Sequence, residues 1–206
     1  MLTDLTCRAF TAAVAAGEPT PGGGSVAAYV GACGAALLEM VSRLSLSGRA
    51  HGGEFPGQLL ALAAEKREEL ERLVDEDAAA FARVMQALKL PKETPAEKNK
   101  RKEALAEATL SASSVPLRTA AVCAELLEQI AEIIAEGNQN ALSDAAVALE
   151  CLYAACRGAL YNVRINLRGL ANPEEKETLL SGIKSVEERA TKCYFKAREL
   201  VGKKGL

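Results

Sequence analysis

The chain has 206 residues, enough for one substantial domain, and 49% of them are hydrophobic, which excludes an intrinsically disordered protein. Its formal net charge of −2 gives no reason to expect a nucleic-acid partner, because such proteins usually present a basic face. Ala, Leu, Glu and Lys dominate, which is typical of helices. No segment alternates with period two, so we predict one all-α domain over 1–206, a multihelical bundle with long central helices and no sheet.

Capping residues and prolines divide the chain into predicted helices. Ser25 is the predicted N-cap of the second helix, and Thr94 followed by Pro95 starts the fourth. Ser114 and Pro116 either repeat that start signal or mark a kink. The predicted helices span about 3–16, 25–46, 57–88, 95–113, 140–170 and 174–201. Residues 114–135 are also predicted to be helical, either as a separate helix or as a continuation of the fourth beyond a kink. A glycine-rich loop is predicted at 47–56.

Nothing in the sequence predicts export or membrane association. The N-terminus has no basic region that leads into an apolar one. Residues 26–38 carry no charge, but this stretch is too short to span a bilayer, so we expect a buried core helix there. The one histidine and six cysteines include no Cys-x-x-Cys pair, so we expect reduced thiols, no metal ion and no other cofactor. Together these features predict a cytoplasmic protein.

Two predicted helices are rich in small residues, which let helix axes approach closely. Both helices are therefore expected to lie in the centre of the bundle or in a subunit interface. The small residues are Ala27, Ala28, Gly31, Ala32, Gly34, Ala35 and Ala36 in the second helix, and Ala141, Ala145, Ala148, Ala155, Gly158 and Ala159 in the helix predicted at 140–170.

One carboxylate lies on an apolar helix face. At 100° per residue, Asp77 falls in the middle of a stripe, seven residues from both Leu70 and Val84. An unpaired buried carboxylate is costly, so Asp77 needs a partner, a raised pKa or a cleft. A structural salt bridge or helix-to-helix hydrogen bond and a catalytic role both fit this pattern.

The helix predicted at 140–170 carries a second polar pattern. Asn140 and Asp144 share a face that continues through small residues to Asn162, and Asn166 follows one turn later. In an unbroken helix Asp144 and Asn162 are about 27 Å apart. Three interpretations fit this separation. The two residues bind opposite ends of a long ligand, or a dimer brings Asp144 of one chain close to Asn162 of the other. In the third, the residues only cap helices and form amide pairs.

A turn of three glycines precedes the second helix. Gly22, Gly23, Gly24 and Ser25 would present free backbone N–H groups to an anion or a carbonyl oxygen. The turn lacks the lysine of a P-loop and follows no strand, so it does not predict a nucleotide-phosphate site. On its own it is equally consistent with a simple tight turn.

These motifs together resemble the cyclodeaminase domain of formiminotransferase-cyclodeaminase and its free-standing bacterial relatives, which include methenyltetrahydrofolate cyclohydrolases. The resemblance covers nearly the full length. Residues 19–28 are similar to the family's proline and triple-glycine signature, 75–81 to its acidic helix motif and 88–94 to its connector. The later motifs are Gly137-Asn138 with Ser143-Asp144, and Asn162-Val163-Arg164-Ile165-Asn166-Leu167.

The resemblance implies an all-α homodimer that acts on a folate, with Asp77 as the catalytic acid. In the cyclohydrolase, water attacks the carbon between N5 and N10 of methenyltetrahydrofolate and gives 10-formyltetrahydrofolate. In the cyclodeaminase, N10 attacks the formimino carbon on N5 and ammonia leaves. In either reaction a carboxylate can stabilise the cationic carbon and move the proton, without a metal. We expect the cyclohydrolase. The alternatives are the cyclodeaminase and a non-catalytic helical dimer that binds folate or a protein.

The anionic tail of a folate requires cations near the site. Lys89, Lys92 and Arg164 are the first candidates, followed by Arg43, Arg49 and His51. For the two lysines a purely solvated position is the favoured alternative, because lysines in exposed connectors are usually only solvated. Relatives often carry lysines in the loop at 47–56, where this chain has Gly48-Arg49-Ala50-His51-Gly52-Gly53. The predicted substrate-binding residues are Pro21, Gly22, Gly23, Gly24, Ser25, Lys89, Lys92, Asn140, Asp144, Asn162, Arg164 and Asn166.

Overall fold

A computed structural model describes residues 1–47 and 54–206, and these residues form helices and no strand. The all-α prediction is confirmed. The α-helices are α1 Cys7–Ala15, α2 Gly23–Ser47, α3 Glu54–Leu88, α4 Pro95–Glu136, α5 Leu142–Asn166 and α6 Pro173–Lys203. Short 3-10 helices lie at Leu2–Asp4, Gln139–Ala141 and Leu167–Gly169.

Local capping explains where two of the long helices begin. The Thr94 hydroxyl accepts a hydrogen bond from the Glu97 amide, and Glu97 in turn accepts from the Thr94 amide, so this end of α4 is a capping box. The Asn172 side chain accepts a hydrogen bond from the Glu174 amide and so caps the first turn of α6, with a proline at the first helical position. The start of α4 follows the predicted signal, and α6 begins at Pro173, one residue before the predicted position.

Two predicted boundaries on α4 and α5 are wrong. α4 runs without interruption through Pro116, so a new helix does not begin there. The proline has no N–H to donate to the carbonyl of Ala112, and the side chain of Asn166 donates to that carbonyl instead, at 2.7 Å. α5 ends at Asn166 rather than near Leu170, because the chain tightens into a 3-10 turn there.

The core is a bundle in which α2 packs between α3 and α5, α4 packs on α3 and α5, and α6 covers α4 and α5. The small residues of α2 permit this packing. A Cβ on Gly31 would lie 2.9 Å from the Cys123 sulfur, and one on Gly34 would lie 2.8 Å from Leu152. α2 is long and apolar enough to cross a membrane, but it packs as a core helix here, as the sequence predicts.

Candidate active site

The carboxylate of Asp77 is hydrogen-bonded to the start of α2. The Ser25 hydroxyl donates to Asp77 Oδ2 at 2.9 Å, and the Ser25 backbone amide also acts to lower the pKa of this carboxyl. Ser25 is fully buried and Asp77 is half-buried. Ser25 is not the N-cap that we predict from the sequence, because α2 begins two residues earlier at Gly23. Its hydroxyl is therefore free to reach across to α3.

Two opposing effects set the ionisation of Asp77. Burial raises the pKa of the Asp77 carboxyl above its ordinary value, because removing the charged form from water is costly. The Ser25 hydrogen bonds act in the opposite direction, and burial is the larger effect. The N-terminus of α2 further favours a negative charge at this position. The result is a partly desolvated carboxylate that can take up a proton more readily than a surface aspartate.

Gly24 allows α2 to approach Asp77 closely. All three atoms of the carboxylate lie closer than 3.0 Å to the place where a Cβ on Gly24 would be. Any larger residue at this position would displace the carboxylate or the helix. The triple-glycine segment is therefore more than a tight turn, because Gly24 leaves the space that the Asp77 carboxylate occupies.

Asn162 borders the same turn from the opposite helix. A Cβ on Gly23 would lie 3.4 Å from Asn162 Nδ2 and 3.5 Å from Oδ1. The amide nitrogen donates to the Gly158 carbonyl at 2.9 Å, while Oδ1 accepts no hydrogen bond from residues 1–47 or 54–206. Gly23, Gly24, Ser25, Asp77 and Asn162 therefore form one cluster, which we call the acid cluster.

The rest of the predicted turn lies next to the acid cluster. Pro21 is buried, and its peptide bond to Thr20 is cis. The carbonyl of Gly22 accepts the first backbone hydrogen bond of α2, from Val26 at 3.0 Å. The N–H groups of the following first turn have no partner within the helix, as at any helix start.

The two other predicted residues at the end of α5 contact neighbouring helices. Asn166 donates to the Ala112 carbonyl of α4. Arg164 forms a half-exposed ion pair with Glu187 of α6, with 2.7 Å between Nη2 and Oε2. Both residues lie within about one helical turn of Asn162 in α5, and both side chains have a protein partner on another helix.

Asn140 and Asp144 lie at the opposite end of α5 from Asn162. Because α5 is unbroken, about 27 Å separates Asp144 from Asn162 within one chain. Asn140 is exposed in the preceding 3-10 helix, and that helix is capped by Asn138. The structure therefore brings neither residue to the acid cluster within a single chain.

The candidate cations for the folate tail are spread around the molecule. Lys89 and Lys92 are exposed in the connector between α3 and α4. Arg43 pairs with Glu39 on α2 at 2.6 Å. Arg49 and His51, and most of the loop predicted at 47–56, lie outside the described residues. Within 1–47 and 54–206, no group of three or more His, Cys, Asp or Glu side chains could hold a metal ion.

No local sequence pattern predicts the pairing of Asp77 with Ser25. A serine at the start of an apolar helix usually caps that helix, and the two residues are separated by 52 positions. The apolar stripe did identify Asp77 as the member that needed a partner. Only the packing of α2 against α3 shows which residue that partner is.

Known proteins share this architecture and sequence. A methenyltetrahydrofolate cyclohydrolase from Methylorubrum extorquens is 41% identical over 89% of this chain and 90% of its own. The formimidoyltransferase-cyclodeaminase of Rattus norvegicus is 39% identical over 92% of this chain, which spans only 35% of that longer protein. The crystal structure of a formiminotetrahydrofolate cyclodeaminase from Thermotoga maritima superposes with a TM-score of 0.88 at 27% identity, covering 98% of both chains. Residues 6–185 match the formiminotransferase-cyclodeaminase family, and the chain therefore belongs to that family.

Proposed function

We propose that this protein is a folate one-carbon enzyme that hydrolyses 5,10-methenyltetrahydrofolate to 10-formyltetrahydrofolate. The observation that carries the proposal is the partly desolvated Asp77 carboxylate, held by Ser25 at the N-terminus of α2. The similarity to the Methylorubrum cyclohydrolase over nearly the full length of both chains supports the same reaction.

Asp77 acts as the proton acceptor and donor in this mechanism. The substrate carbon between N5 and N10 is cationic, so an adjacent carboxylate stabilises it and attracts it to the site. As water adds to this carbon, Asp77 takes the proton and a tetrahedral carbinol forms. Asp77 then gives the proton to N5 as the bond from carbon to N5 breaks. The carbinol hydroxyl releases its remaining proton to solvent water as it becomes the carbonyl of the formyl group on N10.

The start of α2 and the Asn162 amide complete the polar surroundings. The N–H groups of the first turn can donate to the oxygen that becomes the formyl carbonyl. Asn162 Oδ1, which is free among the described residues, can accept a hydrogen bond from a substrate N–H group. Pro21 and Gly22 support the turn that holds these donors.

The folate tail needs a cation that is not fully occupied. Lys89 and Lys92 are exposed and Arg164 is half-exposed, so each can donate to a carboxylate. We propose that one of these two groups holds the glutamate tail. Arg164 is nearer in sequence to Asn162, whereas the lysines lie beyond the end of α3.

We also propose a homodimer, because α2 and α5 each leave an apolar stripe open to solvent. Three large residues of α5 are more than half exposed, and all members recur every three or four positions, as in coiled coils. The two helices are neighbours, since a Cβ on Gly158 would contact Ala27 at 3.5 Å. The α5 stripe is Val147, Cys151, Ala154, Gly158, Tyr161 and Ile165, and the α2 stripe is Val26, Val30, Cys33, Leu37, Met40 and Leu44.

The dimer would give Asn140 and Asp144 a place in the site. If α5 of one subunit packs antiparallel on α5 of the other, the first turn of one lies near the last turn of its partner. Asp144 would then approach the second subunit's acid cluster, which a single chain does not permit. This arrangement resolves the separation of about 27 Å between Asp144 and Asn162.

The cyclodeaminase is the second candidate, favoured by the fold shared with the Thermotoga protein. In that reaction N10 attacks the formimino carbon, and Asp77 would protonate the departing ammonia.

A non-catalytic folate or protein binder is a third reading. The partly desolvated Asp77 carboxylate, held against the start of α2, argues against it, because a binder gains nothing from such an acid. We expect no metal or other cofactor and a cytoplasmic location.

An assay of the purified protein with methenyl- and formimino-tetrahydrofolate, side by side, tests the proposal. We expect turnover of the methenyl substrate without added metal, and the same rate after chelator treatment. Faster turnover of the formimino substrate with ammonia release would establish the second candidate instead. Tight folate binding without turnover of either substrate would overturn both enzymatic assignments and leave the binder.

A further inference from the structure

Asn166 fills a gap that Pro116 leaves in the backbone of α4. Within a regular helix the carbonyl of Ala112 would accept from the N–H of residue 116, but proline has none. The Asn166 amide nitrogen donates to this carbonyl at 2.7 Å. Ala112 and Pro116 are both buried, so the carbonyl could not rely on bulk water.

The contact fixes the last turn of α5 against α4. Asn166 is the final residue of α5, and the 3-10 turn that follows also lies on α4, where a Cβ on Gly169 would meet Thr109 at 3.2 Å. Helix ends fray unless they are held, because their last carbonyls have no partner within the helix. The bond between Asn166 and Ala112 is therefore an anchor for this end of α5.

The anchored turn is the one that carries Asn162. Asn162 is four residues before Asn166, so both project from the same end of α5 one turn apart. Its amide lies against Gly23 at the start of α2, and the Asp77 carboxylate lies against the adjacent residue, Gly24. A shift of the α5 terminus along α4 would carry the Asn162 amide away from the acid cluster.

We propose that Asn166 is a positioning residue, which fills the hydrogen-bonding gap at Pro116 and so holds the Asn162 amide against the start of α2 in the acid cluster. The inference rests on the proposed folate chemistry, and it assigns Asn166 a role other than direct contact with the substrate. It also assigns a role to Pro116, because the proline leaves the Ala112 carbonyl without a partner in α4, and this carbonyl then accepts the hydrogen bond from Asn166 of α5.

A double-substitution cycle between Asn166 and Pro116 tests the anchor. Asn166→Ala should lower kcat about tenfold, as expected for misplacement of a site residue, while circular dichroism shows an intact helical fold. Pro116→Ala restores an N–H to α4, so it satisfies the Ala112 carbonyl from within the helix. Because the carbonyl is then no longer orphaned, Asn166→Ala in the Pro116→Ala background should lower the melting temperature by less than in the wild-type background.

A second cycle with Asn162 separates positioning from mere stabilisation. If Asn166 acts through Asn162, then adding Asn166→Ala to Asn162→Ala should lower kcat no further. Activity is measured well below both melting temperatures, so a purely stabilising role would leave kcat unchanged in Asn166→Ala. A full additional loss of kcat in the double variant would overturn the proposal and indicate direct substrate contact by Asn166.

The anchor can also be measured without turnover. The side-chain amide of Asn162 in 15N-labelled protein should shift in NMR spectra of Asn166→Ala, whereas Asn172→Ala, which removes the α6 cap, should leave it in place. If the wild-type protein turns over neither folate but this shift occurs, the proposed function fails and the anchor stands. An unmoved Asn162 amide would contradict the anchor whatever the activity.

Discussion

The Ser25 hydroxyl donates to the Asp77 carboxylate at 2.9 Å and so joins the first turn of α2 to the middle of α3. This bond places a partly desolvated acid at the positive end of a helix, which both holds the charge and keeps it reactive. Gly24 makes the contact possible by leaving no Cβ in the way. The catalytic proposal depends on these three residues acting as a unit.

Asp77→Asn should leave the fold intact and remove most activity, because an amide cannot accept the proton from water. The loss in kcat should reach at least about a hundredfold, the usual contribution of general acid–base catalysis. Ser25→Ala is the matched variant, since it keeps the carboxylate but removes the hydroxyl that lowers its pKa. Its kcat should fall far less than that of Asp77→Asn, and the acid limb of its pH profile should move to higher pH. Near wild-type turnover by Asp77→Asn would show that the catalytic assignment is wrong.

Asp77 should also make stability depend on pH. Burial raises the pKa of this carboxyl in the folded protein above its ordinary value of 3.8, which applies to the unfolded chain. In the pH interval between these two pKa values the folded state therefore binds more protons than the unfolded state. The contribution of Asp77 to stability therefore falls as the pH rises through the interval. Asp77→Asn should melt at a higher temperature than the wild type near pH 7, and the difference should shrink near pH 4. Thermal unfolding across this range measures it, and an equal difference at both pH values would contradict the raised pKa.

Gly24→Ala should abolish activity through steric displacement of the acid. The added Cβ would occupy the space of the Asp77 carboxylate, so either the side chain or the start of α2 must move. Gly57→Ala is the control, because Gly57 lies in a helix with nothing within 4 Å of the added Cβ. That substitution should leave kcat unchanged and stabilise the protein by roughly 0.5–1 kcal/mol. Full activity in Gly24→Ala would place the reacting carbon elsewhere.

The position of the folate tail can be tested by removing the candidate cations and by removing the ion-pair partner of one of them. Arg164→Ala, or Lys89→Ala with Lys92→Ala, should raise KM and leave kcat nearly unchanged for whichever group holds the tail. Glu187→Gln removes the ion-pair partner of Arg164, so it should lower KM if Arg164 binds the tail. Each effect should grow with the number of glutamates on the substrate. Unchanged KM in all three variants would direct attention to Arg43, Arg49 and His51.

The apolar stripes of α2 and α5 should be covered by a second copy of the chain. Ile165→Glu places a charge on the α5 stripe, where the residue is 52% exposed in one chain, and should produce a monomer with low activity. Leu180→Glu is the control, since Leu180 is 43% exposed on α6 and outside both stripes. It should stay dimeric. Light scattering that finds a wild-type monomer at micromolar concentration would reject the dimer.

Much of this protein follows from the sequence alone. The composition and the absence of period-two alternation determine the all-α class, and the cap at Thr94 sets the start of α4, because these signals act over a few neighbouring residues. The apolar stripe identifies Asp77 as the exceptional residue of α3, since helical periodicity is also local.

The partners of these residues were decided only by tertiary packing. Ser25 meets Asp77 across 52 positions, and Asn166 meets Ala112 across 54. Pro116 shows the reason most clearly. Locally it predicts a helix break, yet α4 continues because a side chain from α5 satisfies the carbonyl that the proline leaves free. Periodicity shows which face of a helix is buried, but the groups that meet there depend on how the helices are placed against one another.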